Sequence, residues 1–132
     1  MEDLLLALRA IGESTRLRIV AVLARSELTV GELCRVLGQT QPRVSRHLRL
    51  LCEAGLLDRN AQGTSAFYRP ARAGRGRELF DAILPLIDDD DVGFQSDLRR
   101  LAAIRAERAK VAAAYFESVA SDWDGMRTRH VA

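Results

Sequence analysis

The sequence of 132 residues predicts a mainly α-helical chain with a single small β-hairpin. Apolar residues recur at helical spacing along most of its length, which is the main sequence signal for amphipathic helices. Gly12, Gly38 and Gly55 interrupt this spacing, and two strand-like stretches follow at 56–59 and 65–69. Short helices followed by a hairpin are the order of a winged helix-turn-helix.

The first two helices are predicted from their apolar spacing. The stretch 2–11 has a helical period that Gly12 ends. Its apolar positions are Leu4, Leu5, Leu8 and Ile11. Ser14 or Thr15 can cap the second helix. Its apolar positions are Leu17, Val20, Ala21 and Ala24, and residues 28–30 then form a short extended link.

The next two helices are predicted to form the helix-turn-helix itself. Thr29 caps the first of them, over 30–37, and Glu32 stands where a capping box needs it. Thr40 caps the second, which runs to about Ala54. The apolar stripe of this second helix consists of Val44, Leu48, Leu51 and Cys52.

Residues 60–64 join the two strands, and their asparagine and glycine suit the backbone angles of a tight hairpin. A helix near 77–87 is bent or ended by Pro85. The four aspartates at 88–91 indicate a solvated turn rather than a metal site, because nothing nearby resembles a calcium loop. A long helix over about 95–120 completes the prediction.

Basic residues are concentrated between Thr40 and Arg77. This segment holds eight arginines against Glu53 and Asp58, although the formal net charge of the whole chain is only +2. A local basic field in a nearly neutral protein is typical of a face that binds nucleic acid. The sequence therefore predicts a DNA-binding face on the fourth helix and the hairpin.

The fourth helix leaves donors and acceptors for bases and phosphates on its outer faces. They are Thr40, Gln41, Arg43, Ser45, Arg46, His47 and Arg49. The hairpin, or wing, offers groups suited to the DNA backbone or minor groove. They are Arg59, Gln62, Thr64 and Arg69. The alternatives are an ordinary solvated helix and surface hairpin, and a histidine at position 47 that packs against a neighbouring helix.

The long C-terminal helix is apolar along one side and needs a partner surface. The natural candidate is the same helix of a second subunit, together with residues 2–11. The predicted dimerisation residues are Leu4, Leu5, Leu8, Leu98, Leu101, Ile104, Val111 and Tyr115.

Four segments resemble the ArsR-type bacterial winged-helix repressors. They are residues 13–19, 31–34, 41–51 and 53–57, and the resemblance extends over about 1–90. It implies a homodimer joined through its first and last helices. It also implies binding to an inverted repeat in promoter DNA, and release when an effector binds.

Members of this family that sense arsenite or soft metals carry Cys-x-Cys in the helix before the reading helix. In this sequence Cys34 matches the first cysteine of that pattern, but Val36 stands where the second would be. Cys52 lies on the buried side of the fourth helix, the reading helix that is predicted to contact the bases. Because a thiolate site needs at least two convergent ligands, the sequence predicts no metal site. A cysteine-based redox or metal-responsive repressor is the alternative function.

The C-terminal end resembles the opening of S-adenosylmethionine-dependent methyltransferases. The residues that carry this resemblance are Tyr115, Phe116, Asp122, Trp123, Asp124, Arg127 and His130. Some ArsR-like regulators are fused to such a domain. The resemblance implies a piece of a longer fusion protein with S-adenosylmethionine or S-adenosylhomocysteine as effector, and an unrelated tail is the alternative.

Three segments are therefore expected. Residues 1–90 form the DNA-binding domain, 91–120 a dimerisation or linker helix, and 121–132 a tail that opens a methyltransferase-like segment. The predicted function is a sequence-specific transcriptional repressor that a small molecule modulates. The sequence shows no nucleophile–base pair and no phosphate loop, so neither enzyme activity nor a cofactor is expected. Without a signal peptide or membrane-spanning run, a cytoplasmic location with no membrane partner is expected.

Overall fold

A computed structural model describes the backbone of residues 1–131 and the side chains of residues 1–123. The chain divides into two compact units, residues 1–100 and residues from 101 onward. The elements are α1 (Glu2–Ile11), α2 (Ser14–Leu23), β1 (Leu28–Thr29), α3 (Val30–Leu37), α4 (Gln41–Glu53), β2 (Leu57–Gln62), β3 (Ser65–Pro70), α5 (Arg75–Ile83), a 3-10 turn (Leu84–Leu86) and α6 (Val92–Val131). The predicted helical fold with a hairpin wing is confirmed.

The core of the first unit is built around α2. Ile19, Val20 and Val22 are fully buried, and α2 contacts α1, α3, α4 and β3. The apolar stripe of α4 also faces this core: Val44, Leu48 and Leu51 are each 0% exposed, with Cys52 half-buried at its edge. Full burial of each such side chain stabilises the fold by about 1.5–3 kcal/mol, and it fixes which face of α4 is left outside.

The turn between α3 and α4 forms as the sequence predicted. The Glu32 amide donates to Thr29 Oγ1 (3.2 Å) and the Thr29 amide donates to Glu32 Oε1 (3.0 Å), which is a reciprocal capping box. Gly38 ends α3 with a φ of +66°, a left-handed conformation that favours glycine. The chain then enters α4 at Thr40.

The N-cap of α2 is Glu13, and the prediction of Ser14 or Thr15 was wrong. The Arg16 amide donates to Glu13 Oε2 (2.9 Å), and a carboxylate at this end also interacts favourably with the helix dipole. The Thr15 hydroxyl is instead used outside the helix, where it accepts a hydrogen bond from Gln39 Nε2 (3.3 Å).

The sheet has one more strand than the hairpin alone would give. The extended link forms β1, which pairs with β3 so that Leu28 lies opposite Tyr68, and the strand order is β1-β3-β2. The hairpin turn is also tighter than predicted. Gln62 pairs with Ser65, because Gly63 takes a φ of +61° and lets a two-residue turn close the strands.

Helix α6 is longer than the 95–120 that the sequence predicted. It starts at Val92 because Asp91 caps it, accepting from the Phe94 amide (3.0 Å). It continues to Val131, since extending an existing helix costs far less than nucleating one. Asp124, Arg127 and His130 lie outside the residues whose side chains are described. Within the described residues, no helix has both the length and the apolar character needed to cross a bilayer.

Gly76 packs directly against the backbone of Gly55 and Leu56, and replacing it tests the packing of α5. A Cβ atom there would lie 2.0 Å from the Gly55 carbonyl oxygen and 2.9 Å from the Leu56 amide nitrogen. Because these neighbours are backbone atoms, Gly76→Ala is expected to lower the free energy of unfolding by about 1–3 kcal/mol, measured by urea denaturation.

Gly31→Ala is the matched control for this substitution. A Cβ at Gly31 meets nothing closer than Thr29 Oγ1 at 3.9 Å, so alanine there is expected to leave stability unchanged or raise it by up to about 1 kcal/mol. Equal stability of the two variants would contradict the packing described here.

Candidate nucleic-acid interface

The outer face of α4 carries exposed polar side chains, because the apolar stripe faces the core. Gln41, Arg43, Arg46 and Arg49 are all exposed, whereas Ser45 is half-buried. Neither Arg43 nor Arg46 forms a hydrogen bond or an ion pair with a residue that the structure describes. Arg49 Nε lies 3.9 Å from Glu53 Oε1. The guanidinium groups of Arg43 and Arg46, both in the first half of α4, are therefore available to a ligand.

The N-terminus of α4 is also open to an anion. Thr40 occupies the N-cap position, but its side chain makes no cap hydrogen bond. The first amides of a helix have no partner inside the helix, and with the helix dipole they favour a phosphate. Exposed Thr40 and Gln41 thus flank a place where a phosphate group would fit.

Of the four wing residues predicted to contact DNA, three are exposed and one is half-buried. Arg59, Gln62 and Thr64 are exposed, the last of them in the turn. Arg69 lies opposite Asp58 in the ladder, is half-buried, and has its Nε atom buried without a hydrogen-bond partner. Arg69 is therefore less accessible than the other three, and its contact with DNA stays a prediction.

The start of α2 holds α4 in place, and sequence reasoning missed this role. His47 on α4 is only 15% exposed at its side chain; its Nδ1 lies 3.3 Å from Arg16 Nη1 and 3.9 Å from Glu13 Oε2. Arg16 also donates through Nε to the carbonyl of Ala10. The packing of His47 against a neighbouring helix is thus what the structure shows. The position of Glu13, an acidic residue directly before α2, is the sequence signal that could have identified it as the N-cap.

The end of α3 is held from two sides. Arg18 donates to both carboxylate oxygens of Asp97 (Nε–Oδ2 2.7 Å, Nη2–Oδ1 2.6 Å), and its Nη2 lies 3.4 Å from the Leu37 carbonyl oxygen. Arg100 Nη1 donates to the Val36 carbonyl (3.0 Å). Asp97 is fully buried. No sequence signal joins Arg18 to a residue 79 positions away.

Comparison with known proteins tests the family that the sequence motifs predict. Residues 13–59 match the family described as "Bacterial regulatory protein, arsR family". A "Biofilm growth-associated repressor" of Agrobacterium fabrum is 35% identical over 81 residues, which cover 61% of this chain and 68% of that protein. This chain belongs to the arsR family. The family predicted from the sequence motifs is thereby confirmed.

Two further relatives of this arsR-family chain carry similar names. The "Arsenical resistance operon repressor" of Escherichia coli is 47% identical over 62 residues, 46% of this chain and 53% of that protein. The crystal structure of "the transcriptional repressor BigR from Xylella fastidiosa" superposes with a TM-score of 0.55 at 30% identity, covering 61% of this chain and 79% of that one. These names are those of repressors, in agreement with the expectation of a regulator and not an enzyme. The chain spans about half the length of the first curated relatives it matches.

The two cysteines of this arsR-family chain are poor thiolate donors. Burial, with a smaller contribution from Asp58, raises the pKa of the Cys52 thiol to about 11. Burial also raises the pKa of the Cys34 thiol. Both thiols are therefore protonated at neutral pH, and the thiolate is the form that binds metals and attacks oxidants. Among the described residues there is no group of three or more His, Cys, Asp or Glu side chains placed to hold a metal ion.

The residues predicted for dimerisation differ in exposure. Leu4, Leu5 and Leu8 on α1 are 41%, 43% and 42% exposed, and Val111 and Tyr115 on α6 are 72% and 65% exposed. Leu98 is half-buried. Leu101 and Ile104 are each 2% exposed. The assignment of all these residues to a dimer interface stays a prediction.

His47 makes the stability of the fold depend on pH. Burial lowers the pKa of its imidazole; Glu13 opposes this, while Arg16, Arg43 and Arg46 lower the pKa further. The unfolded chain, with an ordinary histidine pKa near 6.5, therefore takes up the proton first as the pH falls. We expect the free energy of unfolding to decrease between about pH 7.5 and about pH 5.5, and His47→Gln to remove most of this decrease.

Urea denaturation at both pH values measures this effect. Glu13 does not interfere, because burial disfavours its ionised form but the amides of Arg16 and Thr15 donate to it, and the net effect lowers its pKa below 4.5. Its contribution to stability is thus lost only under more acidic conditions. An identical pH dependence in the wild type and the His47→Gln variant would show that His47 does not titrate as described.

Proposed function

We propose that this chain is a sequence-specific transcriptional repressor that binds an inverted repeat in promoter DNA as a homodimer. The proposal rests on the two faces of α4. Its apolar stripe is buried, whereas Gln41, Arg43 and Arg46 are exposed and have no protein partner among the described residues. Arginine forks onto guanine edges and glutamine pairs with adenine in the major groove. The repressor names of the relatives point the same way.

The remaining groups of the face suit the DNA backbone. The open N-terminus of α4 and the half-buried Ser45 offer short donors to phosphate oxygens. Arg59, Gln62 and Thr64 on the wing are exposed beside the reading helix, where a hairpin contacts the backbone or the minor groove. We assign base readout to the first half of α4 and positioning to the wing.

The homodimer is supported by exposed apolar surface in each of the two units. On α1, three leucines of the predicted dimer surface are 41–43% exposed: Leu4, Leu5 and Leu8. On α6, Val111, Tyr115 and Phe116 are more than half exposed, and the two rings meet edge to face at 5.8 Å. Exposed large apolar residues grouped on a helix support a protein–protein contact. A dimer also provides the two-fold symmetry that an inverted repeat requires.

The effector is proposed to be a small molecule that changes the affinity for DNA in the cytoplasm. S-adenosylmethionine or S-adenosylhomocysteine is the candidate that the residues from Tyr115 onward suggest, through their resemblance to the opening of methyltransferases. Trp123, which is not part of the proposed dimer surface, is exposed on α6 and can make such a contact. That this chain is part of a fusion protein remains a prediction.

Alanine substitutions on α4 test the assignment of base readout. Arg43→Ala or Arg46→Ala is expected to weaken binding to the operator by about 1–3 kcal/mol and to relax sequence preference, because a bidentate base contact is lost. Arg59→Ala is expected to weaken binding to all sequences and to reduce the slope of affinity against salt by about 1. Fluorescence anisotropy with the upstream DNA of the gene, over a salt series, measures both.

Arg99→Ala is the matched control, since Arg99 is exposed on α6 and bonds only Ser96 (3.0 Å) among the described residues. Its affinity should equal that of the wild type. An Arg46→Ala variant that binds the operator as tightly as the wild type would refute the role given to Arg46. Adding S-adenosylmethionine or S-adenosylhomocysteine to the same titration tests the effector, and unchanged affinity with both would exclude them.

A charge on α1 tests the dimer. Leu4→Glu places a carboxylate in the proposed apolar contact, where burial of a charge is unfavourable, so the dimer Kd should rise by about tenfold or more. Leu6→Glu is the control, because Leu6 is as exposed (49%) but lies about 200° around the helix from Leu4. Sedimentation velocity compares the two. Equal dissociation of both variants would place the interface elsewhere.

A further inference from the structure

The first unit contains a cavity of about 630 Å³ that lies away from the DNA-binding face. It lies between α1, α2, the end of α5 with its 3-10 turn, and the start of α6. Its walls are largely aliphatic and aromatic: Leu8, Ile11, Leu17, Ile83, Ile87 and Phe94. Pockets that bind small organic molecules are typically of about 300–1,000 Å³ and apolar with a few polar groups.

The few charged groups that line the cavity determine which ligand charge it favours. Arg18 lines it, but both Nε and Nη2 donate to the buried carboxylate of Asp97, so this pair is neutral as a whole. Asp88 and Asp91 also line it, and both are exposed. Each aspartate uses one oxygen to accept a backbone amide, from Asp90 and Phe94, and has a second oxygen left. The cavity therefore carries a net negative charge.

The cavity shares residues with the contacts that hold the helix-turn-helix. Phe94 is 4% exposed, has the guanidinium of Arg25 over its ring at 5.6 Å, and stands at the start of α6. Arg18 joins the same region to Asp97 and lies 3.4 Å from the Leu37 carbonyl oxygen, at the end of α3. A molecule that displaces Phe94 or Arg18 would thus act on the turn that leads into α4.

We propose that this cavity is an effector site for a small molecule with an apolar body and one cationic group, and that its occupation changes the affinity for operator DNA. The apolar walls take the body of the molecule, and Asp88 and Asp91 take the cation. The regulatory half of this inference rests on the DNA-binding function proposed above, whereas the binding half does not.

Three probes of nearly equal shape test the preference for a cation. They are 4-phenylbutylamine, 4-phenylbutan-1-ol and 4-phenylbutanoate, titrated into the full chain by isothermal titration calorimetry. We expect the amine to bind about tenfold more tightly than the alcohol, and the carboxylate to bind most weakly, because two carboxylates act on the charge at the mouth. Failure of all three to bind, or equal affinities, would overturn the proposal.

Variants locate the site. Asp88→Asn combined with Asp91→Asn keeps an oxygen for each amide bond but removes both charges, and should abolish the preference for the amine. Asp89→Asn combined with Asp90→Asn is the control, since it changes the net charge equally on the same loop at residues that do not line the cavity. Leu17→Trp fills the cavity and should abolish binding of every probe. If that variant does not fold, the aspartate pairs still decide. Probe binding that none of the variants alters would overturn the proposal.

Operator anisotropy with and without the amine tests the regulatory half. The amine should shift the affinity of the wild type for DNA and leave that of Leu17→Trp unchanged. Probe binding with no shift in a chain that binds its operator would overturn the effector role. A chain that binds the amine but no DNA would contradict the proposed function instead, so the two failures are distinguishable. A cavity closed by a second copy of the chain would give no probe binding and a Leu17→Trp variant with altered dimerisation, which also overturns the proposal.

Discussion

The ion pair between Arg18 and Asp97 joins α2 to the start of α6, and it lies beside the end of α3, where the turn into α4 begins. Asp97 is fully buried, and Arg18 satisfies both of its oxygens at 2.7 and 2.6 Å. Removal of one partner from a buried pair typically costs about 3–5 kcal/mol, because the other charge is left unpaired. The same guanidinium lies 3.4 Å from the carbonyl oxygen of Leu37, and Arg100 donates to that of Val36. One buried carboxylate thus fixes α2, the end of α3 and the start of α6 together.

Positioning and readout are carried out by different residues. Glu13 and Arg16, at the start of α2, surround His47, and Thr15 binds Gln39 in the turn. These contacts and the apolar stripe hold α4 in place, whereas the outer side chains of Arg43 and Arg46 have no hydrogen-bond or ion-pair partner among the described residues. The segment 13–19, part of the motif by which the family was predicted, therefore supplies contacts that hold α4 and the turn before it.

Local signals predicted the parts of the fold that depend on neighbouring residues. The capping box at Thr29, the left-handed Gly38 and the buried stripe of α4 all follow from residues within one or two turns. Pairing over long distances did not follow in this way. Nothing in the sequence near residues 28–29 specifies β3 as their partner, and Asp97 gives no local sign that it will be buried against Arg18.

The small net charge of +2 conceals a basic face because the carboxylates are not evenly distributed. Several arginines are matched by acids close to them: Arg18 by Asp97, Arg75 by Glu78 at 3.2 Å, and Arg77 by Asp81 at 3.1 Å. Arg43 and Arg46 have no such partner among the described residues, so the positive potential at α4 is not cancelled locally. In the 88–91 loop, Asp88 and Asp91 line the cavity and Asp89 lies 3.3 Å from Arg25. At physiological salt a charge more than about 8 Å away is largely screened. One nearly neutral chain can therefore carry a basic face on α4 and an acidic mouth at the cavity, because each is determined by the charges within that range.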